Sequence, residues 1–92
     1  MTNSLDTVSI IVPFYNEEGN VLPLVERVSE ALANFQHPWE LVLVDDGSTD
    51  RTLERLSEAA RRFGGYIHIV ELQRNFGQTA AMQAGIDQAR GS

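Results

Sequence analysis

The sequence contains no cysteine and no lysine. Without cysteine there is no disulfide framework, no thiolate zinc site and no cysteine nucleophile. That absence suits a reducing compartment. Without lysine there is no Walker-type side chain to reach a phosphate, and the first strand–helix turn also lacks the glycine fingerprint of dinucleotide folds. Positive charge is scarce altogether: 7 Lys+Arg stand against 13 Asp+Glu, a formal net charge of -6. Such a chain lacks the clustered cations that a nucleic-acid backbone demands, so no nucleic-acid partner is expected. Long apolar runs are missing too. The longest, Leu41 to Val44, falls far short of the roughly 18 residues that cross a bilayer. Met1 to Thr7 is polar and has neither the basic start nor the apolar core of a signal peptide. The expectation is a soluble, cytoplasmic piece.

What is present is a short chain with a regular alternation. Its 92 residues, 42% of them apolar, allow one small folded domain with a modest core. Val8 to Pro13 is a β-branched run closed by a proline that has no N–H for a ladder. Val21, Leu24, Val25, Val28, Leu32 and Phe35 then recur at helical spacing, with Asn20 as the expected N-cap and Pro23 in the first turn. Glu40 to Asp46 is apolar without alternation, as in a strand covered on both faces. Leu53, Leu56, Ala60 and Phe63 form the stripe of a second helix, fed by a Gly47–Asp50 turn and ended by Gly64-Gly65. Tyr66 to Leu72 reads as a third strand. Thr79 to Ala89 reads as a third helix with Met82, Ile86 and Ala89 on one face and Gly91 as its terminator. Strands alternating with helices predict an α/β fold with a parallel sheet and right-handed crossovers. The chain ends where a fourth strand is expected, so it reads as one part of a larger domain; the alternative is a complete miniature flavodoxin-like domain.

In open α/β sheets ligands bind beyond the carboxyl ends of the strands. The residues there are Pro13 to Glu17, Asp45 to Ser48 and Arg74 to Gln78. Tyr15 reads equally as a stacking platform for a base and as core packing. Glu17 reads equally as an acceptor for a ring N–H or ribose hydroxyl and as a carboxylate beside a helix N-terminus. Asp45 and Asp46 are adjacent, so their side chains diverge in an extended chain and do not form an acid–base pair. One is expected to face the crevice, by the logic that places an acid there in nucleotide folds, while the other holds a loop or backbone; capping the Ser48 and Thr49 amides is the alternative. His37 and His68 have no partner at ligand spacing and read as structural. Glu54, Arg55, Glu58, Arg61 and Arg62 read as a solvated helix face.

Three segments, Val8 to Glu18 (VSIIVPFYNEE), Leu43 to Asp50 (LVDDGSTD) and Arg74 to Gln78 (RNFGQ), together resemble family 2 glycosyltransferases, above all the polyprenyl-phosphate sugar transferases typified by dolichol-phosphate mannose synthase. The resemblance spans nearly the whole chain. It implies a GT-A fold, of which residues 8–92 form an incomplete N-terminal nucleotide-binding part behind a disordered tail at 1–7. It implies inverting transfer of a hexose from a UDP- or GDP-sugar to a polyprenyl phosphate. It also implies donor-nucleotide contacts from Pro13, Tyr15, Glu17 and Asp46, with Asp45, Arg74 and Gln78 as weaker members of the set. Family members carry an Asp-x-Asp motif that holds Mg²⁺ or Mn²⁺; none occurs here. No metal ligand and no catalytic group is therefore expected within these residues, and the chain alone is expected to be inactive. The charge balance agrees, because an acidic chain needs a cation from elsewhere to neutralise a diphosphate. The intact protein is expected at the cytoplasmic face of the membrane. An uncovered sheet edge makes self-association a further expectation.

Two other readings compete. A phosphoacceptor receiver would carry its acid pair after the first strand and a lysine later; here the pair follows the second strand. A short non-catalytic nucleotide-binding or interaction domain is the other.

Overall fold

The computed structural model describes residues 7–89. Three strands and three helices alternate: β1 (Val8–Phe14), α1 (Val21–Ala31), β2 (Trp39–Asp45), α2 (Thr52–Phe63), β3 (Ile67–Glu71) and α3 (Gln78–Gln88). The sheet order is β1-β2-β3, parallel throughout, with Val8 opposite Trp39 and Leu41 opposite Ile67. Every expected element is present, with ends moved by one or two residues except at the C-terminus of α1.

The continuous apolar run of β2 finds its explanation in the layering. Leu41 and Leu43 point into a cluster with Val21 and Val25 of α1 and Leu56 and Ala59 of α2. Val42 and Val44 point the other way, into a cluster with Ala81 of α3. Side chains alternate across a strand, so a strand between two helical layers must be apolar at every position. All four residues are fully buried.

Three expectations need correction. The first concerns the face of α3. Ala81 and Gly85 are its buried residues, whereas Ile86 is 52% exposed. A Cβ on Gly85 would stand 2.4 Å from Ile11 Cγ2 and 3.0 Å from Val44 Cγ2. The helix lies so close to β1 and β2 that only small residues fit between them; its larger side chains are turned away, although Ala89 still packs at the edge of the cluster. The second concerns Asn20. It occupies the N-cap position of α1 but makes no side-chain cap, because its backbone is already helical at φ -104, ψ -10 rather than extended as a capping residue requires. Its amide donates to Glu17 Oε2 at 3.4 Å instead. The third concerns the end of α1, which stops at Ala31 and leaves Phe35 outside it and 42% exposed. Gly64 ends α2 with φ +119. Gly91 lies outside the described residues, as does all of the expected tail except Thr7.

Within β2 one charged residue is buried. Glu40, 4% exposed, accepts a hydrogen bond from Ser9 Oγ across the β1 pairing and lies 3.2 Å from His68 Nε2 on β3. His68, alone in the sequence pattern, thus has a carboxylate neighbour supplied by the sheet.

Candidate functional site

All three strands point their carboxyl ends to the same edge, and the segments that follow them are laced together there. The first lacing joins the turn after β1 to the loop after β2. Asn16 N–H donates to Ser48 Oγ at 3.0 Å, and Asn16 Oδ1 accepts from Thr49 N–H at 2.8 Å. Glu17 N–H donates to Thr52 Oγ1 at 2.9 Å and Glu18 N–H to Asp50 Oδ2 at 3.4 Å. Asp50 also accepts from the N–H and hydroxyl of Thr52, the first residue of α2. Desolvation works to raise the Asp50 pKa, but these hydrogen bonds to its charged form, from Thr52 side chain and backbone and from Glu18, outweigh it, and the net shift is downward.

The second lacing joins the loop after β2 to the loop after β3. Asp46 is 3% exposed, and its carboxylate is engaged on both oxygens. Oδ1 accepts from Phe76 N–H at 2.8 Å; Oδ2 accepts from Gly77 N–H at 3.1 Å and Asn75 Nδ2 at 3.0 Å. Beside it Gly47 has φ +70, and a Cβ there would stand 2.1 Å from the Arg74 carbonyl carbon and 2.4 Å from Asn75 N. The loop of β3 is therefore seated on bare backbone. Asp45, 2% exposed, accepts from Ser48 N–H at 3.1 Å and so holds its own turn.

Between the three segments is a hollow of about 290 Å³ lined by Pro13, Phe14, Tyr15, Glu17, Asp46, Asn75, Gly77 and Gln78. Five residues singled out from the sequence meet there: Pro13, Tyr15, Glu17, Asp46 and Gln78. Tyr15 is 44% exposed at its mouth. The size is near the low end for small-molecule sites and suits part of a nucleotide rather than a whole sugar nucleotide. Arg74 does not line it; its guanidinium lies over the Phe76 ring at 4.7 Å. Asp45 lines a different, larger hollow of about 660 Å³ beside α2. That hollow is walled mainly by the charged face of α2, including the Arg55–Glu58 pair at 2.9 Å, and of the sequence-derived set it holds Asp45 alone. The smaller hollow is therefore the candidate site. Sequence reasoning misses Asn75 and Gly77 as lining residues. The signal was an amide side chain two residues before a glycine, opposite an acid that would need donors.

No group of three or more His, Asp or Glu side chains among the described residues is arranged to hold a metal ion. Both carboxylates of the Asp45-Asp46 pair are committed to loop N–H donors. These residues do not fit a divalent cation.

Comparison with known proteins agrees with this layout. The family model for glycosyl transferase family 2 matches residues 9–92. The chain is 62% identical over 84 residues to a dodecaprenyl-phosphate galacturonate synthase of Rhizobium johnstonii, covering 91% of this chain and 25% of that protein. It is 45% identical over 91 residues to an undecaprenyl-phosphate 4-deoxy-4-formamido-L-arabinose transferase of Pectobacterium carotovorum, covering 99% and 28%. Among solved structures, a mannosyltransferase of Pyrobaculum calidifontis in complex with GDP-Man and Mn²⁺ superposes with a TM-score of 0.70 at 28% identity, over 95% of this chain and 25% of that one. TarS 1-349 of S. aureus superposes with a TM-score of 0.73 at 33% identity, with the same coverage. The chain thus spans about a quarter of the length of the relatives it matches. Its three parallel strands and three helices are arranged as in GT-A glycosyltransferases.

Proposed function

Because the chain belongs to glycosyl transferase family 2, we propose that the intact protein is an inverting hexosyltransferase in which these residues bind the nucleoside of a nucleotide-diphosphate sugar. The family decides against the receiver reading. The acceptor in this proposal is a polyprenyl phosphate, as the names of the two curated relatives suggest. An acceptor phosphate oxygen attacks the anomeric carbon from the side opposite the nucleotide. The bond to the diphosphate oxygen breaks, the electron pair leaves with the nucleotide diphosphate, and the configuration inverts.

The observation that carries the reading is the hollow itself. An exposed Tyr15 ring offers a stacking face, and the Glu17 carboxylate offers an acceptor for a ring N–H or ribose hydroxyl. Asp46 lines the wall and fixes the Asn75–Gly77 segment opposite. In this proposal the described residues hold the nucleoside, and the diphosphate and its cation are assigned to the rest of the intact protein. Mg²⁺ or Mn²⁺ belongs to the proposal for the intact protein, on the strength of the Mn²⁺ in the mannosyltransferase neighbour. Association with the cytoplasmic face of a membrane follows from a lipid acceptor; among the described residues no helix is long and apolar enough to cross one.

Titration of the intact protein with UDP, GDP and their hexose conjugates, with and without Mn²⁺, tests the binding half of the proposal. Saturable binding of one nucleotide, weakened by Tyr15→Ala and Glu17→Ala, is the expected result; no binding of either base sinks it. The chain 1–92 alone is expected to show no turnover of a nucleotide sugar above a no-protein control.

A further inference from the structure

We propose that Asn16 is a positioning residue that sets the turn after β1 in the geometry that brings Tyr15 and Glu17 to the hollow. The inference rests on the nucleoside reading of that hollow and names a residue that neither the sequence patterns nor the lining of the hollow singles out.

Three observations converge on it. Among the described residues Asn16 is the one non-glycine residue with positive φ, at +52. A Cβ makes that region unfavourable, and asparagine tolerates it better than most residues. Asn16 is also exposed, so burial of its side chain does not account for the strained backbone. Its polar atoms are nonetheless in use across the two loops. Oδ1 accepts from both Thr49 N–H at 2.8 Å and Thr49 Oγ1 at 3.3 Å, while its own N–H donates to Ser48 Oγ at 3.0 Å. Finally, its two chain neighbours, Tyr15 and Glu17, are the side chains of this turn that line the hollow. With Glu17 N–H on Thr52 Oγ1, the turn is held on both sides of Asn16. A left-handed residue at the apex, tied to a loop 33 residues away in sequence, fixes the direction in which both neighbours leave the backbone.

Two variants separate the backbone from the side chain. Asn16→Gly keeps access to positive φ and loses the acceptor. Asn16→Ala loses both. In the intact protein, UDP and GDP affinities are measured well below each variant's melting transition, together with hydrogen exchange at the Thr49 amide. Losing both asparagine's tolerance of the left-handed region and its acceptor predicts about a tenfold higher Kd for Asn16→Ala, a smaller rise for Asn16→Gly, and faster Thr49 exchange in both. A merely structural role lowers the melting temperature but leaves the Kd of the folded protein unchanged, and that result overturns the assignment while the nucleoside reading stands. If Asn16→Ala does not fold, Asn16→Gly decides alone: wild-type affinity overturns the assignment, weaker binding supports it. A wild-type protein that binds neither nucleotide overturns the nucleoside reading and the assignment with it.

Discussion

Two glycines and one aspartate show how much of the site is decided by single atoms. Gly47 meets backbone on its far side, with Arg74 and Asn75 atoms 2.1–2.5 Å from the place of a Cβ, and backbone cannot rotate away. Gly85 meets the Cγ2 methyl groups of Ile11 and Val44, which are side-chain atoms rather than backbone. Gly85→Ala also gains about 1 kcal/mol of helix propensity, which offsets part of an overpacking cost of about 1–3 kcal/mol. Gly47→Ala has no such gain and adds strain at φ +70. Denaturant melts should therefore rank Gly47→Ala as the more destabilising, and the reverse order would refute this account of the loop contact. Asp46 leads to a second expectation. Asp46→Ala leaves the Phe76 and Gly77 amides without their acceptor, at a cost of about 1–3 kcal/mol, and their hydrogen exchange should accelerate while that of β2 stays slow. The sequence marks one acid of the Asp45-Asp46 pair for the crevice, and only the family resemblance picks Asp46, which lines the hollow. Neither reveals that both oxygens are committed to the β3 loop, because that depends on contacts 29 to 31 residues away.

Among elements, the strands were the easiest to read and the helix faces the hardest. The apolar run Leu41–Val44 announces a strand between two layers, and the layers are there. The face of α3 escaped because hydrophobicity marks the wrong side when a helix packs through small residues: Ala81 and Gly85 are chosen for closeness, not for apolar area. Helix capping misled in the same way. Asn20 has the right residue type for α1 but the wrong backbone, while at α2 the N-cap position falls to Arg51, without a side-chain cap, and Asp50 before it accepts from the Thr52 N–H. That contact carries a pH dependence. The Asp50 carboxyl titrates below its ordinary 3.8 in the folded chain, so the charged form is favoured by folding. Its contribution is full above the unfolded value and is lost as pH falls through the folded one. Between pH 5 and pH 2, wild type should lose stability more steeply than Asp50→Asn, whose side chain does not titrate. Parallel melting-temperature curves for the two would remove Asp50 as the cause.

At the scale of the whole molecule two tendencies oppose each other. The described sheet has three strands and two outer edges. β1 is one of them, with Val8 41% exposed at its start. An unpaired edge offers a row of N–H and C=O groups to another strand, which favours association of this chain with itself. The net charge of -6 acts against it, because like-charged copies repel at a distance. Salt decides between them. Screening shortens the reach of the repulsion to about 10 Å at 0.1 M and about 3 Å at 1 M, whereas edge pairing is a contact interaction that screening hardly touches. The chain 1–92 should therefore sediment close to its monomer mass in dilute, low-salt buffer and move to larger species as protein and salt concentrations rise. Ile11→Pro, which removes an N–H from the outer side of the edge strand (Val8 and Phe14, two residues of the other phase, bond toward β2), should reduce the shift, provided its circular dichroism shows the sheet intact. A monomeric profile at every concentration and ionic strength would show that the edge is already protected, and a salt dependence of the opposite sign would show that charge pairing rather than strand addition drives assembly.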